Sequence, residues 1–234
     1  MTDAEVKKDM CCKDEDKTEE PVAPTDGTMS RGPTQEVKVD HEKLRDLPVF
    51  DELGNKISFG DIYKKQKTII IFIRHFLDFI TKEYVEDLAL IPLEYLQEAE
   101  VRLVVIGPAP FKCIKPFKQL TGYQYTLYCD PDREIYKELG FLEKNVFGTL
   151  DQSKHIKSGM VMGVMKSMWR AMKVQEYQGN PNQQGGAFIL GPGEEVHFTH
   201  LDEANTDHMN INELLVEAGV QAVSFPRDQR VLNI

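Results

Sequence analysis

Residues 68–88 read TIIIFIRHFLDFITKEYVEDL. The first six, Thr68 to Ile73, are β-branched or aromatic with no polar face, which predicts a central strand buried on both sides. From about Phe79 the apolar residues change period. Ile80, Tyr84, Val85, Leu88 and Ala89 fall on one stripe of a helix. A tight corner, Arg74 to Asp78, therefore joins strand to helix. Asp78 stands where a helix N-cap belongs. Aspartate there accepts from the N–H of Ile80 or Thr81, worth about 1 kcal/mol over alanine.

Upstream, Leu47, Val49 and the segment Lys56 to Phe59 flank the turn Asp51 to Asn55 and predict a hairpin, with Gly54 placed for positive φ. Downstream, Pro92 kinks the helical pattern or starts a new segment. Val101 to Ile106 reads as a second buried strand closed by Gly107-Pro108. Ile114 to Leu120 reads as a helix ended by Gly122, and Tyr125 to Cys129 as a third strand. Asp130-Pro131 opens the helix DPDREIYKELG. This βαβαβα order predicts parallel strands and right-handed crossovers. An irregular stretch, about Phe141 to Gln184, follows and holds one Met-rich helix. Ala187 to Leu190 and Val196 to His200 flank Gly191-Pro192-Gly193-Glu194 as an antiparallel hairpin. Asn210 to Ala218, ended by Gly219, forms a last helix. The order is the thioredoxin arrangement with an extra β-α inserted before the hairpin. The fold class is α/β: a mixed five-stranded central sheet with flanking helices and an N-terminal hairpin.

The chain has 234 residues, 41% of them apolar, enough for one cored domain plus a tail. Residues 1–44 read as a disordered acidic arm, poor in large apolar residues and without period, and 45–234 as the folded domain. A net charge of −10 argues against non-specific nucleic-acid binding and against anionic membrane surfaces. MTDAEVKKD has no apolar core of a signal peptide, and no apolar run approaches the roughly 20 residues of a membrane span. The expected location is cytoplasmic. Four cysteines make no disulfide scaffold. Cys11 and Cys12 read as unpaired thiols in the arm, with palmitoylation as the alternative.

Four segments carry a resemblance to a known family. They are LPVFDELGNKISFGDIY, IFIRHFLDFITKEYVEDL, LYCDPDREIYKELG and NPNQQGGAFILGPG. With their spacing, from about residue 45 to near the C-terminus, the chain resembles the peroxiredoxin-like 2 group of the AhpC/TSA antioxidant superfamily. The resemblance implies a thioredoxin-like, peroxiredoxin-type domain without a cofactor and a Cys-x-x-Cys pair at the strand-to-helix corner. Here that motif reads Asp78-Phe79-Ile80-Thr81, so Asp78 and Thr81 match the two cysteine positions. The family's arginine before the penultimate strand falls in the Gly185-Gly186 region.

Peroxide reduction needs a thiolate that becomes a sulfenic acid and a second thiol that resolves it. Asp78 and Thr81 do neither. Arg74 and His75 precede the helix and could keep a local field favourable to an anion. Asp78 reads first as a cap, and otherwise as a general base or phosphoryl acceptor, for which Asp87 lies too far along an exposed helix face. Cys113, at a helix start beside Lys112 and Lys115, and Cys129, at a strand end, are the residual thiols; the alternative is that both are packing residues. His197 and His200, three apart on a strand, face opposite sides, so no metal site is expected. The Met-rich stretch, with Met160, Met165, Met168, Trp169 and Met172, reads as a core helix with a basic face or as a protein-partner surface. The expected function is a non-peroxidatic binding or regulatory protein. The alternative is a thiol-dependent antioxidant oxidoreductase using Cys113 and Cys129.

Overall fold

The computed structural model describes residues 37–144, 180 and 182–225. The elements in chain order are α1 (His41–Leu44), β1 (Pro48–Phe50), β2 (Lys56–Ser58), α2 (Phe59–Tyr63), β3 (Thr68–Phe72), α3 (Phe79–Leu88) and α4 (Leu93–Glu98). Then follow β4 (Arg102–Gly107), a 3-10 turn (Phe111–Cys113), α5 (Ile114–Thr121), β5 (Thr126–Cys129), α6 (Glu134–Glu138), β6 (Gly186–Leu190), β7 (Val196–Leu201) and α7 (Ile211–Ala218).

All five residues of β3 are buried. Alternation explains how a strand without a polar face is used. Ile69 and Ile71 enter one apolar cluster with Tyr84, Val85 and Leu88 of α3, Phe117 of α5 and Leu214 of α7. Ile70 and Phe72 enter the other, with Leu44, Phe59, Ile62, Ile135 and Tyr136 from α1, α2 and α6. β3 pairs in parallel with β4 and antiparallel with β6. The sheet has seven strands in the order β2-β1-β5-β4-β3-β6-β7. Five of them, β5-β4-β3-β6-β7, are those expected of a thioredoxin-like domain, and the N-terminal hairpin joins them through Phe50 opposite Cys129.

Several details differ from the sequence reading. The last residues assigned to the arm fold as α1, and Leu44 is fully buried. Phe59 is not a strand residue but opens α2, with Ser58 at its N-cap. Pro92 starts α4 as its N-cap. The helix expected from Asp130-Pro131 begins only at Glu134. The intervening turn places Arg133 at φ 56, and the Asp130 carboxylate accepts from Glu134 N at 3.1 Å and Ile135 N at 2.9 Å. Asp130 thus caps the helix from a distance. Residues 1–36, which hold Cys11 and Cys12, and the Met-rich stretch lie outside the described residues. Among the described residues no helix is long and apolar enough to cross a membrane.

One side chain ties the sheet together where it meets the corner. The Tyr136 hydroxyl lies 2.7 Å from the Ile73 carbonyl and 2.8 Å from that of Ile106, just past the ends of β3 and within β4. Tyr136 is 1% exposed, so no water replaces it. Tyr136→Phe takes this donor from the buried Ile73 carbonyl, while that of Ile106 keeps Ile73 N at 2.9 Å, and should cost roughly 1–3 kcal/mol. Urea titration should show a lower midpoint with an unchanged slope.

Candidate functional site

The corner between β3 and α3 begins where the parallel strands end, the edge at which open α/β sheets collect their sites. Asp78 is the N-cap of α3, with extended backbone at φ −78 and ψ 126. Three donors converge on its Oδ2. Thr81 N lies at 3.2 Å, Thr81 Oγ1 at 2.8 Å and Arg74 Nη1 at 3.3 Å. Arg74 is 4% exposed, Asp78 8% and Thr81 not at all. Removing one partner of so buried a pair costs on the order of 3–5 kcal/mol. The sequence reading thus located the cap at Asp78. It did not see that Thr81 donates to Asp78 through both its main chain and its side chain.

A carboxylate 2.8 Å from a hydroxyl is the spacing of a base and a nucleophile. Thr81 is sealed from solvent, however, and its proton is committed to Asp78. His75 contributes no cation, because burial pushes its pKa down, the nearby Asp78 charge opposing this only in part.

Arg74 Nε also donates to the Gln183 carbonyl at 3.1 Å, so it bridges the corner to the loop before β6. That loop is where the family resemblance places an arginine. No side chain fits there. A Cβ on Gly185 would lie 2.4 Å from the Phe72 carbonyl, and one on Gly186 would lie 2.3 Å from the His200 carbonyl. One guanidinium reaches this loop from the corner itself, and a second, that of Arg133, lies 3.5 Å from Gln183 Oε1.

The two residual thiols are placed differently from expectation. Cys113 lies at the start of α5, but it packs into the same apolar cluster as Phe117. Burial pushes its pKa up rather than the helix start pulling it down. Cys129 is fully buried, and burial, with a smaller repulsion from Cys113, pushes its pKa far up. Asp87, expected on an exposed face, is 3% exposed, and Glu83 is 1% exposed. Among the described residues no group of three metal-ligating side chains is placed to hold an ion.

A second polar cluster escaped the sequence reading. Asp202, just past β7, is 1% exposed and takes His208 Nδ1 at 2.6 Å and His200 Nε2 at 3.3 Å. His200 Nε2 also lies 2.9 Å from the Asp207 carbonyl. The His208 ring stands 4.9 Å from that of Tyr84, whose hydroxyl donates to the Met209 carbonyl. The cluster therefore fastens the segment after β7 to α3. His197 does not join it; its Nε2 lies 2.7 Å from the Gly191 carbonyl. The sequence HLDEANTDHMN carried only a weak signal, histidines and aspartates crowded into one connection.

Comparison with known proteins shows the family and the fold. The chain is 46% identical over 193 residues to peroxiredoxin-like 2C of Homo sapiens, covering 82% of this chain and 85% of that one. The chain belongs to the peroxiredoxin-like 2 family. A family model described as AhpC/TSA antioxidant enzyme matches residues 90–204, a span that begins beyond α3. A chloroplastic thioredoxin-like protein of Arabidopsis thaliana is 25% identical over 176 residues, 74% of this chain and 71% of that one. A crystal structure of a cysteine-to-serine mutant of peroxiredoxin 6 from Arenicola marina superposes with a TM-score of 0.51 at 14% identity, covering 75% of this chain and 70% of that one. That likeness concerns the fold alone.

The histidine cluster gives this peroxiredoxin-like 2 chain a defined response to pH. Burial alone would lower the His200 pKa, but the hydrogen bond and charge of Asp202, followed by Asp207, raise it from 6.5 to about 9. His208 is raised against its own burial by the same aspartate. A raised folded-state pKa gives stability that is full below the ordinary value and lost as pH rises through the folded one. Unfolding free energy should therefore fall between about pH 6.5 and pH 9. Asp202→Asn should flatten this slope in denaturant titrations across that range.

Proposed function

We propose that this peroxiredoxin-like 2 protein does not reduce peroxide at its corner and acts in the cytoplasm as a binding or regulatory protein. The observation that carries this reading is the occupancy of Asp78 Oδ2 by Thr81 N, Thr81 Oγ1 and Arg74. An oxygen anion, held by a helix N-terminus and a guanidinium, occupies the position at which the family resemblance expects a thiolate. The surroundings suit a thiolate; the atom does not. Sulfur attacks a peroxide oxygen and keeps it as a sulfenic acid, whereas a carboxylate has no such oxidation ladder.

The remaining thiols favour this reading over the oxidoreductase alternative. Attack requires the thiolate and access. Cys113 and Cys129 are both buried and both have raised pKa values, so neither offers much thiolate near neutral pH. The partner surface we assign to the Met-rich stretch, around Met160, Met165, Met168, Trp169 and Met172, rests on the sequence alone.

Two measurements test the proposal. Reduced protein supplied with hydrogen peroxide and a thiol reductant should consume no more peroxide than the Cys113→Ser variant. Turnover abolished by Cys113→Ser would refute it. The double variant Asp78→Cys with Thr81→Cys should place two thiols at the start of α3, one helical turn apart. Mild oxidation should join them, read as a loss of two alkylatable thiols by intact mass. Two free thiols in a folded double variant would mean that the corner is not the redox position.

A further inference from the structure

The end of the sheet opposite the corner, where β4 and β5 begin, holds a cavity of about 520 Å³. It lies between the tip of the β1–β2 hairpin and α4, with Leu96 and Leu127 among its apolar lining. Two leucines on its rim face solvent: Leu53 is 77% exposed and Leu93 is 51% exposed. Leu53 is held out by a braced turn. Asp51 Oδ1 accepts from Leu53 N at 2.9 Å and Asn55 N at 2.8 Å, and Oδ2 accepts from Asn55 Nδ2 at 2.8 Å. A braced, projecting leucine loses little conformational freedom when a partner covers it.

Charge is divided across the same patch. Glu52 flanks the projecting leucine, while Lys118 and Arg102 lie on the cavity wall. Arg102 is anchored through Nη1 to the Ile62 carbonyl at 2.8 Å. Glu52 and Lys118 have no ion-pair partner among the described residues. A projection with an acid beside it, next to a hollow with bases on its wall, is self-complementary under a two-fold axis. We propose that this face is the interface of a symmetric dimer of the chain. Leu53 of each copy enters the cavity of the other, and Glu52 of each copy meets Lys118 of the other.

Sedimentation velocity of the full chain over a concentration series tests this. The wild type should pass from monomer to dimer. Leu53→Asp should weaken dimerisation at least about tenfold, with an unchanged melting temperature at concentrations where the wild type is monomeric, because Leu53 supports no core. Glu52→Lys and Lys118→Glu should each do the same, since like charges then face each other twice. An equimolar mixture of those two variants should recover the dimer, because each of its contacts again joins opposite charges. That recovery also excludes misfolding as the cause of the single-variant losses. A wild type that stays monomeric throughout, a dimer indifferent to Leu53→Asp, or a mixture that fails to recover would each overturn the proposal.

Discussion

The contact between Arg74, Asp78 and Thr81 governs the rest of the site. A buried carboxylate is tolerable only when its charge and lone pairs are met. Here they are met by the first turn of α3 and by an arginine four residues earlier. The same arginine reaches the Gln183 carbonyl and so holds the loop before β6 against the corner. One charge pair thus fixes the end of β3, the start of α3 and the entry to β6.

A second anchor also acts on α3. Asp202 and His208 fasten the segment leading to α7, and Tyr84 receives it through a ring contact and a hydrogen bond. The two anchors are distinct in chemistry. The first is a charge pair whose cation is an arginine, protonated at any ordinary pH. The second depends on histidines and responds to pH. The helix that carries the corner is therefore held by one contact built on an arginine and one built on histidines.

Much of the fold was legible in the sequence because it follows from period. Thr68 to Phe72 could be read as a two-sided strand since nothing in it suits solvent. Gly122 and Gly219 closed helices at φ 69 and φ 83, as their positions predict. What period cannot show was missed. Helices α1 and α2 are too short, at four and five residues, for a stripe to appear. The cap at Asp78 was legible because capping is local. The reach of Arg74 to Gln183 was not, because 109 residues separate them. Cys113 illustrates two opposed effects. Its place at a helix start argued for a low pKa, but only packing reveals that the thiol faces an apolar cluster and that desolvation prevails.

The glycine pair before β6 also limits how this protein can change. Main-chain carbonyls of Phe72 and His200 stand where a side chain would have to begin. Any substituent at 185 or 186 must first displace main chain, so neither position can carry a side chain toward the corner. The cation that faces Asp78 therefore comes from Arg74, within the corner, and not from these two positions.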